Sequence, residues 1–131
     1  MADACRQWAR ECLNNGAMII VPAVADYEVR RELIRAKKLY GVNRLDVFNL
    51  TASHRYLPIT DVALKLAAEL WAQARQKGTP TADARELDCD VVIAAQALTM
   101  NIPKTEIVIA TTNIGHLAHF VNAELWQNIK P

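Results

Sequence analysis

The order of apolar patterns along the chain is the feature that most constrains its fold. Stretches in which apolar residues recur every three or four positions alternate with short runs that are apolar throughout. This alternation is typical of α/β proteins, in which helices cover a sheet of mainly parallel strands. A chain of 131 residues also has the length of one compact domain. We therefore expect a single domain over residues 1–131, with helices flanking a central, mainly parallel sheet.

The same patterns predict where the individual elements lie. Strands are expected at residues 17–21, 56–59, 106–110 and 126–129. Helices are expected at residues 3–15, 22–38, 42–52, 61–77 and 88–100, with a short one after 117. Pro22 is suited to begin a helix, Thr60 to cap one, and Gly41 and Gly78 to end them. The buried faces are predicted to contain Trp8, Cys12, Val62, Ala63, Leu66, Ala67, Leu70, Trp71, Val91, Ala94, Ala95 and Leu98.

Composition excludes several classes of protein. Apolar residues make up 52% of the chain and charged residues 22%, which is ordinary for a globular domain and not for a disordered one. The longest uncharged apolar stretch, residues 17–25, is too short to span a bilayer, so we expect a soluble cytoplasmic protein. Three cysteines without a C-x-x-C spacing argue against a disulfide framework and a zinc site. No glycine-rich loop follows a strand, which disfavours a flavodoxin-like nucleotide-binding domain.

Carboxylates and an amide lie where a parallel sheet would gather its functional residues. Glu28 follows the first predicted strand, Asp88 and Asp90 begin the helix before the third, and Asn113 follows the third. Mg²⁺ and Mn²⁺ prefer oxygen ligands, so such a cluster suits metal-assisted phosphodiester hydrolysis. Asp88 and Asp90 are two residues apart, and on a helix this spacing rotates their side chains by about 200° relative to each other. Only one of the two aspartates can therefore face the metal. We expect Asp88 to cap the helix and Asp90 to lie in its first turn.

Each of these residues also has a structural interpretation. Aspartates at helix N-termini often serve only as caps or dipole partners, and Glu28 could form a salt bridge with Arg31 or Arg35. Residues 29–38 contain five basic side chains against one acidic, and Arg30 and Arg31 could bind a phosphate backbone or simply form a solvated face. His116 and His119 could be metal ligands or general acids, or neither. The net charge of +1 requires any nucleic-acid contact to come from local clustering.

Three segments, VPAVADYEVRREL, LDCDVVIAAQAL and IVIATTNIGHL, resemble the second, third and fourth motifs of PIN domains in that order. The resemblance implies a Mg²⁺- or Mn²⁺-dependent endoribonuclease related to VapC toxins, acting on RNA, with an antitoxin and a second copy as protein partners. It implies metal binding by Glu28 and Asp90 with Asp88 as a supporting acid, and makes Thr112 with Asn113 the polar end of the fourth motif. The residues assigned to catalysis are Glu28, Asp90 and Asn113, and those assigned to the substrate are Arg30, Arg31, Thr112 and His116.

The chain departs from the PIN pattern in two places. The family's first motif, an apolar strand ending in a metal-binding aspartate, is absent, and His116 stands where many members have a further aspartate. By resemblance, the absent strand is the central one of a five-stranded parallel sheet, ordered 3-2-1-4-5, in a three-layer fold. Its loss would leave two strand edges unpaired, to be resolved by an upstream start, a strand from another chain, or a rearranged sheet. We expect impaired cleavage, with a non-catalytic dimerisation or antitoxin-binding module as the alternative.

Overall fold

A computed structural model of the chain describes residues 2–77 and 84–131, and it combines helices with short parallel strands. The helices are α1 (Ala2–Asn14), α2 (Ala23–Arg35), α3 (Leu39–Leu50), α4 (Asp61–Gln76) and α5 (Ala84–Leu98). The strands are β1 (Val21–Pro22), β2 (Tyr56–Leu57), β3 (Ile109–Thr111) and β4 (Ala123–Leu125). Three 3-10 turns lie at Lys104–Glu106, Leu117–His119 and Trp126–Asn128. This mostly helical arrangement with small parallel sheets is consistent with the expected α/β class.

In the described ranges the strands pair as two separate two-stranded sheets. β1 runs parallel to β2, with Val21 opposite Tyr56, and β3 runs parallel to β4, with Ile109 opposite Ala123. The first sheet is short because Pro58, directly after β2, has no N–H with which to continue the ladder. The prediction of a first strand at residues 17–21 was wrong in its bounds. Strand β1 begins only at Val21, and Met18 is 58% exposed.

The strand predictions near the carboxyl end were also displaced. A 3-10 turn ends at Glu106, the first residue of the strand expected at 106–110, and β3 begins only at Ile109. The last strand is Ala123–Leu125, and the residues expected to form it instead begin a 3-10 turn at Trp126. Short apolar runs do not specify which of their residues find a partner strand. In the expected strand at 106–110, Val108 is 42% exposed.

The predicted role of Gly41 in the connection between α2 and α3 was wrong. Pro22 precedes α2 as its N-cap residue, and the helix ends at Arg35 because Lys37 adopts a left-handed φ of 59°. Gly41 does not end a helix, as predicted, but lies in the first turn of α3. A Cβ atom there would come within 2.8 Å of Leu33 Cδ2. The glycine thus allows α3 to approach α2 closely.

The main core lies between α4 and α5. Thr60 caps α4 as predicted, because its Oγ1 accepts a hydrogen bond of 3.1 Å from the N–H of Ala63. The buried cluster consists of Ala63, Ala67, Leu87, Val91 and Ala95. Its alanines let the two helix backbones lie close together. Ala94 is buried as predicted, whereas Val62 is 66% exposed because the inward face of α4 is centred on Ala63 and Ala67. The predicted stop at Gly78 lies outside the described residues.

Two buried polar side chains join the core to the first sheet. Gln96, 1% exposed, donates from Nε2 to the carbonyl of Leu57 at 2.9 Å and to that of Pro58 at 3.2 Å. Its Oε1 accepts from the N–H of Val24, near the start of α2, at 3.5 Å. One side chain of α5 therefore holds both β2 and α2. Arg55 donates to the carbonyls of Ile19 and Phe48, each at 3.0 Å, which anchors the approach to β1.

The first helix is attached to the last residues of the chain. Trp8 Nε1 donates to the carbonyl of Ile129 at 2.8 Å, and its ring lies 5.7 Å from that of Trp126. Cys12, one turn later, is buried, as predicted for this face of α1. Of the helices described, none combines the length and the apolar character needed to cross a membrane.

Candidate metal and substrate site

Glu28 from α2 and the aspartates of α5 act on a common neighbour, the Cys89 thiol. Burial raises the pKa of Cys89 above its ordinary value, and the negative charge of Glu28 is the next contribution in the same direction. Asp90 and Asp88 also raise this pKa, while Arg31 lowers it. Helices α2 and α5 are in contact, which explains why charges far apart in the sequence reach one thiol. Glu28 and the segment of α5 around Cys89 thus lie on neighbouring helices.

Asp88 does not cap a helix, contrary to the prediction. Helix α5 begins at Ala84, so Asp88 lies inside it and its side chain is exposed. Asp90 is half-buried, as is Glu28. The two aspartates point in different directions around the helix, as their spacing requires. Asp90 is therefore the less exposed of the two aspartates.

The cations of α2 have partners other than Glu28. Arg35 pairs with Glu32 at 2.8 Å, and the guanidinium of Arg31 lies over the Tyr27 ring, 5.1 Å from its centre. The pKa of Arg31 is raised, chiefly by its interaction with the Tyr27 side chain, and further by the charges of Cys89 and Glu28. Arg31 is exposed. An exposed cation thus lies within the electrostatic influence of Glu28.

Arg30, expected to contact substrate, is engaged by two carboxylates. It donates to Asp26 Oδ1 at 2.9 Å and Oδ2 at 3.1 Å, and to Asp46 Oδ1 at 2.7 Å. Asn49 Nδ2 also donates to Asp26, at 2.7 Å. Hydrogen bonding from Arg30 lowers the pKa of Asp26, against the opposing effect of burial. The charge of Arg30 is therefore used to join α2 to α3.

The polar end of β3 is held by its own turn. The N–H of Asn113 donates to Thr111 Oγ1 at 3.1 Å, and this hydroxyl in turn donates to the Asn113 carbonyl at 3.0 Å. Thr112 and the Asn113 side chain are exposed. His116 is half-buried and lines a cavity together with His119. These residues thus lie in or just after the second sheet, whereas Glu28 and Asp90 lie on the contacting helices α2 and α5.

The donor chemistry suits a hard divalent cation only in part. Carboxylate oxygens are the ligands that Mg²⁺ and Mn²⁺ prefer, and Mg²⁺ commonly uses one or two of them while keeping several waters. Within residues 2–77 and 84–131, no three side chains of His, Cys, Asp or Glu are grouped closely enough to hold a metal ion. Glu28 and Asp90 therefore offer at most two carboxylates to such an ion, and water would have to supply its remaining ligands.

Sequence reasoning missed three residues of this region. Asp26 is four positions before Arg30, a spacing that predicts an ion pair on a helix. Gln96 lies within a buried apolar stretch, where an uncharged polar residue indicates a specific hydrogen bond. Cys89 had no such signal, because its environment is made by a helix more than 50 residues away in the sequence.

Comparison with known proteins gives one match. The family model described as the PIN domain matches residues 2–118, which is most of the chain and includes every residue assigned above to catalysis, metal or substrate. No curated protein and no solved structure matches the chain.

Proposed function

We propose, from the premise that this chain belongs to the PIN domain family, that it is a metal-dependent endoribonuclease of the VapC toxin type, impaired in its present form. The observation that carries the proposal is the packing of α2, which carries Glu28, against α5, which carries Asp90. This supports a shared carboxylate site between α2 and α5. RNA is the substrate class, the cytoplasm the place of action, and residues 1–131 a single domain.

In this proposal Glu28 and Asp90 hold a Mg²⁺ or Mn²⁺ ion, with Asp88 as a supporting acid. The bound ion would polarise the scissile phosphate and lower the pKa of an attacking water. Arg31 is the cation we assign to the phosphate backbone, since Arg30 is occupied by Asp26 and Asp46. Thr112 and Asn113 are assigned to polar contacts with the RNA, which their exposure permits.

We attribute the impairment to the small number of carboxylates, since no three ligand side chains are grouped within the described residues. We propose that a further parallel strand, ending in the aspartate of the first motif, lies between β1 and β3 in the three-layer fold. The pairing of β1 with β2 and of β3 with β4 in separate sheets supports this position. Two carboxylates hold a divalent cation less firmly than three, so weak metal binding is expected.

The test is RNA cleavage followed while Mg²⁺ or Mn²⁺ is titrated. We expect low activity in this chain and higher activity in a version extended at its amino end by the residues encoded upstream. Glu28→Gln and Asp90→Asn should each abolish it. Glu32→Gln is the matched control, because Glu32 lies on the same helix but pairs with Arg35. Cleavage that survives both site substitutions would contradict the proposal.

A second candidate function is self-association without catalysis, which the surface of α3 favours. Helix α3 has no buried residue, and its apolar side chains Leu39, Tyr40, Val47 and Leu50 are at least 66% exposed. An apolar helix face of this kind is common at protein interfaces. Light scattering should then show a homodimer that Leu50→Glu dissociates. A monomer at all concentrations would exclude this function and leave an antitoxin-like peptide as the partner to test.

A further inference from the structure

A cavity of about 510 Å³ lies beside the core, where α4, α5 and the turn at Leu117–His119 meet. Its volume is within the range of small-molecule sites, which is about 300–1,000 Å³. The walls are formed mainly by leucines of α4 and α5 and by Phe120. Glu28, Cys89 and Asp90 are not among the residues that line this cavity. It is therefore a separate feature from the carboxylate site.

The polar groups of this cavity are predominantly basic. Lys77 follows α4, Lys104 begins the turn after α5, and His116 and His119 lie on the segment after β3. Gln73 is the one further polar side chain among the described lining residues, which include no carboxylate. With a net charge of only +1, the chain has no general excess of cations to account for this grouping. Basic groups from separate elements around one cavity favour an anion.

The apolar part of the cavity restricts the kind of anion. Phe120 is half-buried, and its ring meets that of His119 edge to face, with centres 6.5 Å apart and planes at 69°. An aromatic wall beside basic groups suits a ligand in which a flat ring carries a charged group, because the ring stacks and the charge is neutralised. A simple inorganic anion would leave the apolar wall unused.

We infer that this cavity binds a nucleoside phosphate, either free or as the phosphorylated end of an RNA strand. The ring would pack against Phe120 and the leucines, and the phosphate would be bound by Lys77 and Lys104. The choice of a nucleotide among aromatic anions rests on the proposed ribonuclease function, whereas the anion site itself does not. His116 thus belongs to a basic cavity at the position where the resemblance places a further aspartate.

The test is calorimetric titration in EDTA, so that metal binding at Glu28 and Asp90 plays no part. Adenosine 5′-monophosphate should bind. Adenosine should bind at least about tenfold more weakly, because it lacks the charged phosphate group. Lys77→Glu and Lys104→Glu should each weaken binding of the monophosphate by about tenfold. Lys65→Glu is the matched control, an exposed lysine of α4 outside the cavity, and should change nothing.

Phe120→Leu provides a second measurement that keeps the wall apolar. It should weaken binding of the monophosphate and leave binding of inorganic phosphate unchanged. A short RNA with a 5′-phosphate that displaces the monophosphate would identify an RNA end as the ligand, and failure to displace it would identify the free nucleotide. Equal affinity for adenosine, no effect of either lysine substitution, or no binding at millimolar concentration would overturn the inference. Because the titration contains no metal and measures no cleavage, its result can be interpreted even if the proposed ribonuclease function is rejected.

Discussion

Arg30 binds both oxygens of the Asp26 carboxylate, at 2.9 and 3.1 Å, across one turn of α2. Because the same guanidinium also binds Asp46 at 2.7 Å, the pair connects α2 to α3. Asp26 is 6% exposed, so its charge depends on these partners and on Asn49. The relationship orients the helix that carries Glu28 and Arg31.

The first prediction concerns stability in acid. The pKa of Asp26 is lowered from 3.8 in the folded protein, so its stabilising effect is complete above the unfolded value and is lost as pH falls through the lower folded value. Asp26→Asn should reduce the free energy of unfolding at pH 7 by roughly 1–3 kcal/mol. Urea denaturation should also show a weaker loss of stability below about pH 4 in this variant.

Asp46→Asn is the control for this prediction, because Asp46 pairs with the same arginine but is half exposed. It should cost less than about 1 kcal/mol. Equal pH dependence in the wild type and in Asp26→Asn would contradict the assigned role of Asp26.

The second prediction tests the neighbourhood of Glu28 and Cys89 without any activity assay. Glu28 raises the pKa of Cys89, so Glu28→Gln should lower it, increase the thiolate fraction and speed alkylation at pH 8. Arg31→Gln should have the opposite effect, because Arg31 lowers that pKa. Alkylation is followed at Cys89 by peptide mapping, with Cys5 as the internal control. If neither substitution changes the alkylation rate of Cys89, Glu28 and Arg31 do not lie near this thiol, and α2 and α5 are not packed as described here.

The third prediction concerns Gln96. Gln96→Leu replaces the side chain with an apolar one of similar size and removes the Nε2 donor to the carbonyls of Leu57 and Pro58. Loss of these part-buried hydrogen bonds should reduce the free energy of unfolding by roughly 1–3 kcal/mol. Urea denaturation measures the loss, and Gln76→Leu on the exposed surface of α4 should change stability by less than about 0.5 kcal/mol. Equal effects of the two substitutions would argue against the bonds of Gln96.

The fourth prediction concerns the start of α4. Thr60→Ala removes the acceptor for the N–H of Ala63 and should cost about 0.5–2 kcal/mol in thermal or urea unfolding. Thr60→Ser keeps a side-chain oxygen at the cap and should retain most of the stability. If the serine variant were as unstable as the alanine variant, the methyl group and not the cap would be responsible.

Sequence alone determined those features that depend on residues within a few positions of one another. Thr60 caps its helix through a contact three residues away, and the periodic set Val91, Ala94 and Ala95 is buried as its spacing predicts. The matched family also follows from short ordered motifs. Helices and their caps are local structures, so their signals are read directly from neighbouring residues.

Tertiary structure decided what depends on distant parts of the chain. Gly41 is needed for its approach to Leu33 in another helix and not for a helix end. Arg30 acquires Asp46 as a partner only when α3 folds back on α2, and Cys89 feels Glu28 only when α2 packs against α5. Such relationships leave no periodic trace in the sequence, because the energy of a contact depends on distance in space and not on separation along the chain.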